Sequence, residues 1–406
     1  MKRPSNTTWI IIGMLGGIIA GSVFGPVMGN LKFVGDIFLR LIQMSVVLLV
    51  MGAVIEAVGS IDSKELGRLG GKTLFLFMVT TVFAATIGII LANIIKPGIG
   101  LASMGTLKTS IKPPDQTWID MITNSFPTNI MGSMSSGNMI QVIVFAVLFG
   151  LALSILGKEQ GSNKVLDFIK DFNKAILHVI KIVMKTAPLG IFALLSWVTG
   201  TIGLKVMIPL AKFLFGMAFG SIFILIVLIS LVSLYAKLNP LRLSRKFWRM
   251  GVVAFTTTSS AITLPVKMED SENKIGVSKR VSRLVNPLGM TLNSDGLALY
   301  LALACITVAQ FFQIDLSMSE QIKIVIMATL ATLGTVVVPG GGLVALAIVL
   351  PAMGLPIEGV ALLAGIDWFS GMFRTVMNVI DDVLVAIVIA INQGEFDREI
   401  FMSDVY

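Results

Sequence analysis

Long uninterrupted apolar segments are the feature that most restricts how this chain can fold. Trp9–Val23, Phe75–Ile95 and Phe213–Tyr235 are examples, and about 20 apolar residues in a helix are enough to cross the hydrocarbon core of a bilayer. Only 13% of the 406 residues are charged, which is about half the share that a soluble protein needs to cover its surface. The sequence therefore predicts an all-α integral membrane protein.

Basic residues are concentrated between the apolar segments, and their positions predict how the chain is oriented. The net charge is +8, and Lys and Arg cluster at 62–72, 157–174 and 237–249. Short basic loops remain on the cytoplasmic side of a membrane. This accounts for the charge without a nucleic-acid partner, and we expect none. We expect a multi-pass protein of the plasma (inner) membrane with cytoplasmic N- and C-termini.

The apolar pattern changes beyond residue 240. Before that point, membrane spans are predicted at 9–29, 33–58, 74–95, 120–155, 166–200 and 206–236. The fourth of these has a Gly-rich centre, which we expect to break it into pieces. Beyond residue 240 the apolar runs become short and contain polar or Gly-rich segments, which predicts interrupted elements at membrane depth.

Two of these short runs are predicted to be re-entrant hairpins. The first, at about 242–275, has a polar tip at 256–260 and basic flanks that include Lys267. The second, at about 320–355, surrounds Gly334–Gly342 and has few basic residues beside it. Non-helical backbone at membrane depth requires surrounding protein or a water-filled cavity. Two hairpins of opposite orientation form an inverted repeat, which is typical of secondary transporters.

Asn293, Asp295 and Gly296 interrupt the apolar span that follows the first hairpin. A charged carboxylate inside a span costs about 2.5–3.5 kcal/mol on insertion scales. A bound cation removes that penalty, and the freed carbonyl oxygens would join the Asn and Asp oxygens as ligands of a hard cation such as sodium. A helix–helix hydrogen bond is the alternative explanation. We predict a cation site at this break.

The span after the second hairpin carries polar residues along one face. Positions on one side of a helix recur at steps of three and four residues, as do positions 367, 371, 374, 375, 378 and 382. The guanidinium of Arg374 matches a carboxylate with two parallel hydrogen bonds. Arg374 either binds an anionic substrate or pairs with Asp367, two turns earlier, and we predict the substrate role. The hydroxyls of the first hairpin tip and the bare backbone of Gly340–Gly342 would add donors for an anion.

Motifs for other chemistries are absent from the sequence. There is no phosphate-binding loop, no cluster of His and Cys at metal-ligand spacing and no nucleophile motif. We therefore expect neither an enzyme nor a cofactor. His178 is the only histidine, and we expect it to pack rather than to carry protons.

The motifs together resemble the dicarboxylate/amino acid:cation symporters, the family of the glutamate transporters. The resemblance covers essentially the whole chain and keeps the family's spacing. Its motifs are Phe38–Leu41, Ala187–Ala193, Thr263–Pro265, Pro287–Gly289 with Asn293–Gly296, Val338–Gly342, and Gly365–Asp367 with Arg374–Asp382. The resemblance implies eight transmembrane helices plus two opposed re-entrant hairpins, built as inverted repeats in an elevator-type homotrimer.

The resemblance also implies a division of the chain into a fixed scaffold and a moving transport domain. Scaffold helices 1–2 would occupy 1–73, and scaffold helices 4–5 would occupy 119–205. Transport-domain helix 3 and its loop would occupy 74–118. The transport-domain core would occupy 206–406 and contain both hairpins.

Site residues follow from the resemblance by position. Three sodium sites are implied: one with Gly289, Asn293, Asn378 and Asp382, a deeper one with Thr80, Thr81, Asn293 and Asp295, and a third with backbone carbonyls of Thr291, Thr332, Leu333 and Thr335. The substrate carboxylates would meet residues of the last span and of both hairpin tips, namely Arg374, Thr375, Asn378, Ser259, Ser260, Val338, Gly340 and Gly342, beside Gly371. Sodium would be a co-transported ligand rather than a cofactor.

Gly371 is where this chain departs from the family members that transport amino acids. Those members have an aspartate three positions before the arginine, which holds the ammonium group of the substrate. The usual arginine partner of that aspartate is replaced here by Thr258 or Met372. The departure predicts a substrate without an amine, such as a C4-dicarboxylate.

We therefore expect a secondary active symporter that couples inward flow of sodium, or another cation, to uptake of a small dicarboxylate across the lipid bilayer. One alternative keeps the mechanism but transports aspartate or glutamate, with backbone carbonyls holding the ammonium group. An alternative of a different class is a passive anion channel.

Overall fold

The structure, a computed structural model, describes residues 6–59, 66–99, 123, 126–137, 139–160, 163–204, 207–333 and 341–403. Across these residues the chain is helical, and the strand pairing in them is a single bridge between Val277 and Phe396. The helices of the first half are α1 Asn6–Phe24, α2 Lys32–Gly59, α3 Leu66–Ile95, α4 Ile130–Ser136, α5 Met139–Gln160, α6 Lys164–Met184, α7 Ala187–Ile202 and α8 Met207–Ala236. The helices of the second half are α9 Pro240–Lys246, α10 Trp248–Thr257, α11 Ser260–Asp270, α12 Lys279–Leu292, α13 Asp295–Phe311, α14 Met318–Leu333, α15 Gly341–Ala352, α16 Gly359–Ala364, α17 Asp367–Gln393 and α18 Arg398–Met402. The all-helical prediction is confirmed.

Several helices have the length and composition needed to cross a membrane. Among the described residues these segments are Ile12–Phe38, Leu69–Ile95, Met207–Ala236, Lys279–Phe311 and Asp367–Gln393. The outer face of α8 leaves large apolar side chains uncovered, and Leu234 is 79% exposed. Such a surface is unfavourable in water and matches a hydrocarbon environment. The chain is a membrane protein with several apolar helices.

Helices pack into two groups. In the first group, α2 contacts α5, α6 and α7, and α1 contacts α7. In the second group, α3 and α8 pack against α13 and α17. The short helices α10, α11 and α12 also contact α17. Helices α15 and α16 lie between the groups, because α15 touches α2 and α16 touches α7. The buried polar residues of α13 and α17 therefore face a protein interior rather than lipid.

Two predicted spans have different boundaries in the structure. The 166–200 span is two helices, α6 and α7, separated at Lys185 and Thr186. Pro188 lies in the first turn of α7, where its missing N–H leaves no bond unmade, so it starts a new helix more readily than it continues one. The break predicted in the fourth span occurs at Gly137, which ends α4 with a left-handed φ of 70°.

Helices α10 and α11 are joined by only two residues at the predicted first tip. Thr258 ends α10 in a left-handed conformation, φ 49°. The Ser259 side chain then accepts a hydrogen bond from Ile262 N and caps α11. Helices α14 and α15 also contact each other, but the segment between them, 334–340, lies outside the described residues. The tip chemistry predicted for the second pair is therefore described only from Gly341 onward.

Candidate functional site

The predicted break in the membrane span is present at the junction of α12 and α13. Asn293 has an extended backbone, φ −110° and ψ 121°, and ends α12. Asp295 then begins α13. The side chains of both residues are buried, with 1% and 0% exposure. A carboxylate so placed needs compensation from close partners, because burial of an isolated charge is strongly unfavourable.

Asp295 and Asp381 form the centre of a buried polar cluster between α3, α13 and α17. Thr81 Oγ1 donates to Asp295 Oδ1 at 2.7 Å, and Thr80 Oγ1 donates to Asp381 Oδ2 at 3.0 Å. Asn293 Nδ2 also donates to Asp381 Oδ2, at 2.8 Å. The structure thus brings together Thr80, Thr81, Asn293 and Asp295, the four residues predicted for the deeper sodium site.

This cluster has unused acceptor capacity. Asp295 Oδ2 and Asp381 Oδ1 are buried and have no hydrogen-bond partner among the described residues. Neighbouring donors, Thr80, Thr81 and Asn293, hold the two carboxylates close together, so two negative charges here would repel each other. A cation between them would use both free oxygens and remove the repulsion. Carboxylate, hydroxyl and amide oxygens are the ligands that hard cations prefer. Discontinuous membrane helices supply such sites in transporters.

Asp382, the next residue along α17, has a different environment. Lys267 Nζ lies 2.5 Å from its Oδ2 atom, and both side chains are 0% exposed. Lys267 Nζ also donates to the Asn286 carbonyl at 3.1 Å. The other carboxylate oxygen, Oδ1, accepts from Asn293 Nδ2 at 3.0 Å, and a Cβ at Gly289 would overlap it. The predicted ion ligands Gly289, Asn293 and Asp382 are therefore adjacent, with a lysine ammonium on the carboxylate. The assignment of Asp382 to a sodium site stays a prediction.

Lys267 corrects one step of the sequence analysis. We counted it among the basic residues of a cytoplasmic flank, and that was wrong, because its side chain is fully buried. Helix α11 turns its polar residues inward at a helical spacing that the sequence itself shows: Ser260, Thr263, Lys267 and Asp270 are all buried. Steps of three and four from Ser260 could have identified Lys267 as a residue of the interior face.

Arg374 lies on α17 beside the start of α15. Its Nη2 atom is 3.0 Å from Asp367 Oδ1, without the alignment of a hydrogen bond, and donates to the Asp367 carbonyl at 3.3 Å. Its guanidinium stacks 4.4 Å from the ring centre of Tyr300. The pairing with Asp367 that we considered is thus present. Arg374 Nη1 is nevertheless buried without a partner among the described residues, so the guanidinium retains donor capacity for an anion.

Other predicted substrate residues surround this guanidinium. A Cβ at Gly342 would overlap Arg374 Nη1, and a Cβ at Gly371 would lie 3.3 Å from Nη2 and 3.9 Å from Thr258 Cβ. Gly342 is in the first turn of α15, and Ser259 and Ser260 are buried where α11 begins. Helix starts expose backbone N–H groups and favour anions. The surroundings of Arg374 therefore suit a small carboxylate.

Asn378 links the two parts of the site. Its Oδ1 accepts a hydrogen bond from Gly296 N at 2.8 Å, next to Asp295. A Cβ at Gly296 would lie 2.5 Å from the Arg374 Cα, so only glycine permits this approach of α13 to α17. The Thr375 hydroxyl donates a hydrogen bond within its own helix, to Gly371 O at 2.8 Å.

The remaining predicted residues are not brought into one site by what the structure describes. Thr291 is exposed and donates to Pro287 O, while the Thr332 hydroxyl donates to Thr329 O. Leu333 ends α14. Thr335, Val338 and Gly340 lie outside the described residues. The third sodium site therefore stays a prediction.

Asp381 is a site residue that the sequence analysis did not assign. It lies inside the Arg374–Asp382 motif but was not assigned to an ion site. It follows Arg374 by seven residues and Asn378 by three, so the same helical spacing that selected those two residues also selects it. His178, by contrast, lies away from this cluster and contacts the Lys174 carbonyl through Nδ1.

Comparisons with known proteins show the family of this chain. The family model described as the sodium:dicarboxylate symporter family matches residues 7–391. A proton/sodium-glutamate symport protein of Bacillus caldotenax is 35% identical, with 98% of this chain and 97% of the relative covered. A proton/glutamate-aspartate symporter of Bacillus subtilis is 36% identical, with 97% and 96% covered. A C4-dicarboxylate transport protein of Bacillus subtilis is 32% identical, with 98% and 96% covered. The chain therefore belongs to the sodium:dicarboxylate symporter family of transporters.

Proposed function

We propose that this protein is a secondary active symporter that takes up a small dicarboxylate, such as a C4-dicarboxylate, together with sodium. The observation that carries the proposal is the order of groups on α17. Arg374, Asn378 and Asp381 recur at steps of four and three, so the anion-binding and cation-binding groups share one face and lie about 10 Å apart along the helix. A cation that neutralises the Asp295–Asp381 pair therefore acts on the same rigid element that presents Arg374.

Gly371 favours a diacid over an amino acid. A side chain at this position would point at the guanidinium, as the 3.3 Å distance to Arg374 Nη2 indicates, and glycine offers no carboxylate to hold an ammonium group. A substrate with two carboxylates would bind Arg374 with one of them. The start of α11, with Ser259 and Ser260, would supply donors for the other.

Acidic amino acids are the second candidate, for two reasons. Two of the relatives described above are named for glutamate or aspartate. Asp367 also places a carboxylate next to Arg374, where it would attract an ammonium group. Sodium coupling would be the same in this case, and only the substrate would differ.

The decisive experiment is uptake into proteoliposomes that contain the purified protein. Labelled succinate should accumulate against its gradient when sodium is high outside, and accumulation should collapse when the gradient is dissipated. Labelled aspartate at the same concentration should accumulate more slowly. Preferential uptake of aspartate would refute the dicarboxylate assignment, and gradient-independent equilibration would indicate the passive anion channel. A pH gradient without sodium tests protons as the coupling ion.

The proposal extends to the architecture implied by the family. Eight spans, with α10–α11 and α14–α15 as opposed re-entrant hairpins, would form a homotrimer in the plasma (inner) membrane, with both termini cytoplasmic. The first packing group, α1, α2 and α5 to α7, would be the scaffold of an elevator. The second group would carry the site across the membrane. Cross-linking of single-cysteine variants and accessibility labelling of the termini test these points.

A further inference from the structure

The Asp382 carboxylate differs from its neighbours in that both of its oxygens already have donors. Lys267 Nζ contacts Oδ2 at 2.5 Å, and Asn293 Nδ2 donates to Oδ1 at 3.0 Å. Asp295 and Asp381, by contrast, each keep one buried oxygen without a partner among the described residues. The carboxylate oxygens that still need a cation therefore belong to Asp295 and Asp381, and not to Asp382.

Lys267 supplies what a monovalent cation would supply at this position. It brings one positive charge to a site with no solvent exposure and binds two oxygens, from the Asp382 carboxylate and the Asn286 carbonyl. Both kinds of oxygen are ligands for hard cations. Lys267 lies on the buried face of α11, which it shares with Ser260 and Thr263, and its side chain extends from there to Asp382. A buried ammonium is retained only when paired, so Lys267 and a mobile cation would exclude each other.

We propose that the Lys267 ammonium is a tethered replacement for a transported cation at Asp382, so that Asp382 binds no sodium in this protein. Cation coupling then depends on the Asp295–Asp381 pair. The inference rests on the proposed function, because it specifies how many of the family's cation positions remain open to sodium. It makes Lys267 a residue that determines ion stoichiometry, acting through Asp382.

The number of coupled sodium ions tests this proposal directly. At subsaturating sodium, the slope of log Kd for the substrate against log sodium concentration counts the ions that bind with it. Lys267→Thr removes the ammonium and leaves space beside Asp382 and the Asn286 carbonyl. With succinate as the probe, we expect the magnitude of the slope to increase by about one ion relative to wild type. Lys274→Thr is the matched control, because Lys274 pairs with Asp270 outside the cluster, and its slope should equal that of wild type. An unchanged slope in folded Lys267→Thr overturns the proposal.

A second variant covers the case in which Lys267→Thr does not fold. Lys267→Met combined with Asp382→Asn removes both charges, so no buried ion is left alone. The slope of this double variant should equal that of wild type. A slope smaller by one ion would mean that Asp382 binds sodium in the native protein, and would overturn the proposal.

A measurement without substrate separates this inference from the proposed function. Melting temperature against sodium concentration, with choline as the replacement cation, should rise more steeply for Lys267→Thr than for wild type. Equal dependence contradicts the tethered cation. Failure of the wild-type protein to bind succinate or aspartate at any sodium concentration would refute the proposed function alone, because the sodium comparison between variants still decides the role of Lys267.

Discussion

Breaking the Lys267–Asp382 pair from one side should destabilise the protein much more than removing both partners. Asp382→Asn leaves the Lys267 ammonium at 0% exposure with the Asn286 carbonyl as a neutral partner. Lys267→Met leaves the Asp382 carboxylate with Asn293 Nδ2 as its donor, and that nitrogen also donates to Asp381. Each single change therefore leaves an uncompensated charge in the interior.

The expected magnitude follows from the burial of both groups. Removal of one partner of a fully buried ion pair costs about 3–5 kcal/mol, whereas removal of both is often close to neutral. We expect about 3–5 kcal/mol for each single variant of Lys267 and Asp382, and about 1 kcal/mol for the double variant. These costs give a coupling energy for the double-mutant cycle of about 5–9 kcal/mol, above the usual range for neighbouring residues.

The free energy of unfolding is measured in mixed micelles by titration with choline dodecyl sulfate instead of the sodium salt. No sodium is then present to compensate for the lost lysine. Lys274→Met is the matched control. Its partner Asp270 keeps Arg249 at 3.0 Å, so the cost should be about 1 kcal/mol. Additive effects of Lys267→Met and Asp382→Asn would show that the two charges are not energetically coupled, and would refute the reasoning.

Three further predictions address the rest of the site. Arg374→Lys replaces the planar guanidinium, which can donate two parallel hydrogen bonds, with a single ammonium. Calorimetry should show a Kd for succinate raised at least about tenfold, with oligomer assembly unchanged. An unchanged Kd would mean that the arginine has a structural role. Thr81→Val removes the 2.7 Å hydrogen bond to the buried Asp295 carboxylate and should raise the half-saturating sodium concentration about tenfold. Thr86→Val is the control, because the exposed Thr86 hydroxyl donates to a carbonyl of its own helix, and it should leave that concentration unchanged. Gly296→Ala places a Cβ 2.5 Å from the α17 backbone and should lower the free energy of unfolding by about 1–3 kcal/mol. Gly251→Ala is the control, because its added Cβ would have no heavy atom within 4 Å, and it should stabilise α10 by about 0.5–1 kcal/mol.

The break at Asn293 could be predicted because its chemistry is local. A polar Asn-Ser-Asp-Gly segment inside an apolar span has no low-energy explanation other than a partner at membrane depth. The family resemblance then supplied Thr80 and Thr81, which lie more than 200 residues away in the sequence. Helical spacing placed Arg374 and Asn378 on one face, and the structure keeps them there.

The role of Lys267 was missed because charge counting treats every lysine near a loop as solvated. Its partner Asp382 is 115 residues away, and no local pattern links the two. The split of the fifth predicted span at Pro188 was missed for a different reason. Only Lys185 and Thr186 separate the apolar residues on either side of the break, so hydropathy alone cannot show a helix end that depends on one backbone N–H.

The contact at Gly296 has a mechanical consequence. Because the backbone of α13 rests directly on that of α17, with no side chain between them, these two helices cannot slide past each other without collision. The Asp295–Asp381 carboxylates and the Arg374 guanidinium are therefore fixed in one block. Under the proposed function, a cation bound at the carboxylates and an anion bound at the guanidinium would therefore cross the bilayer together.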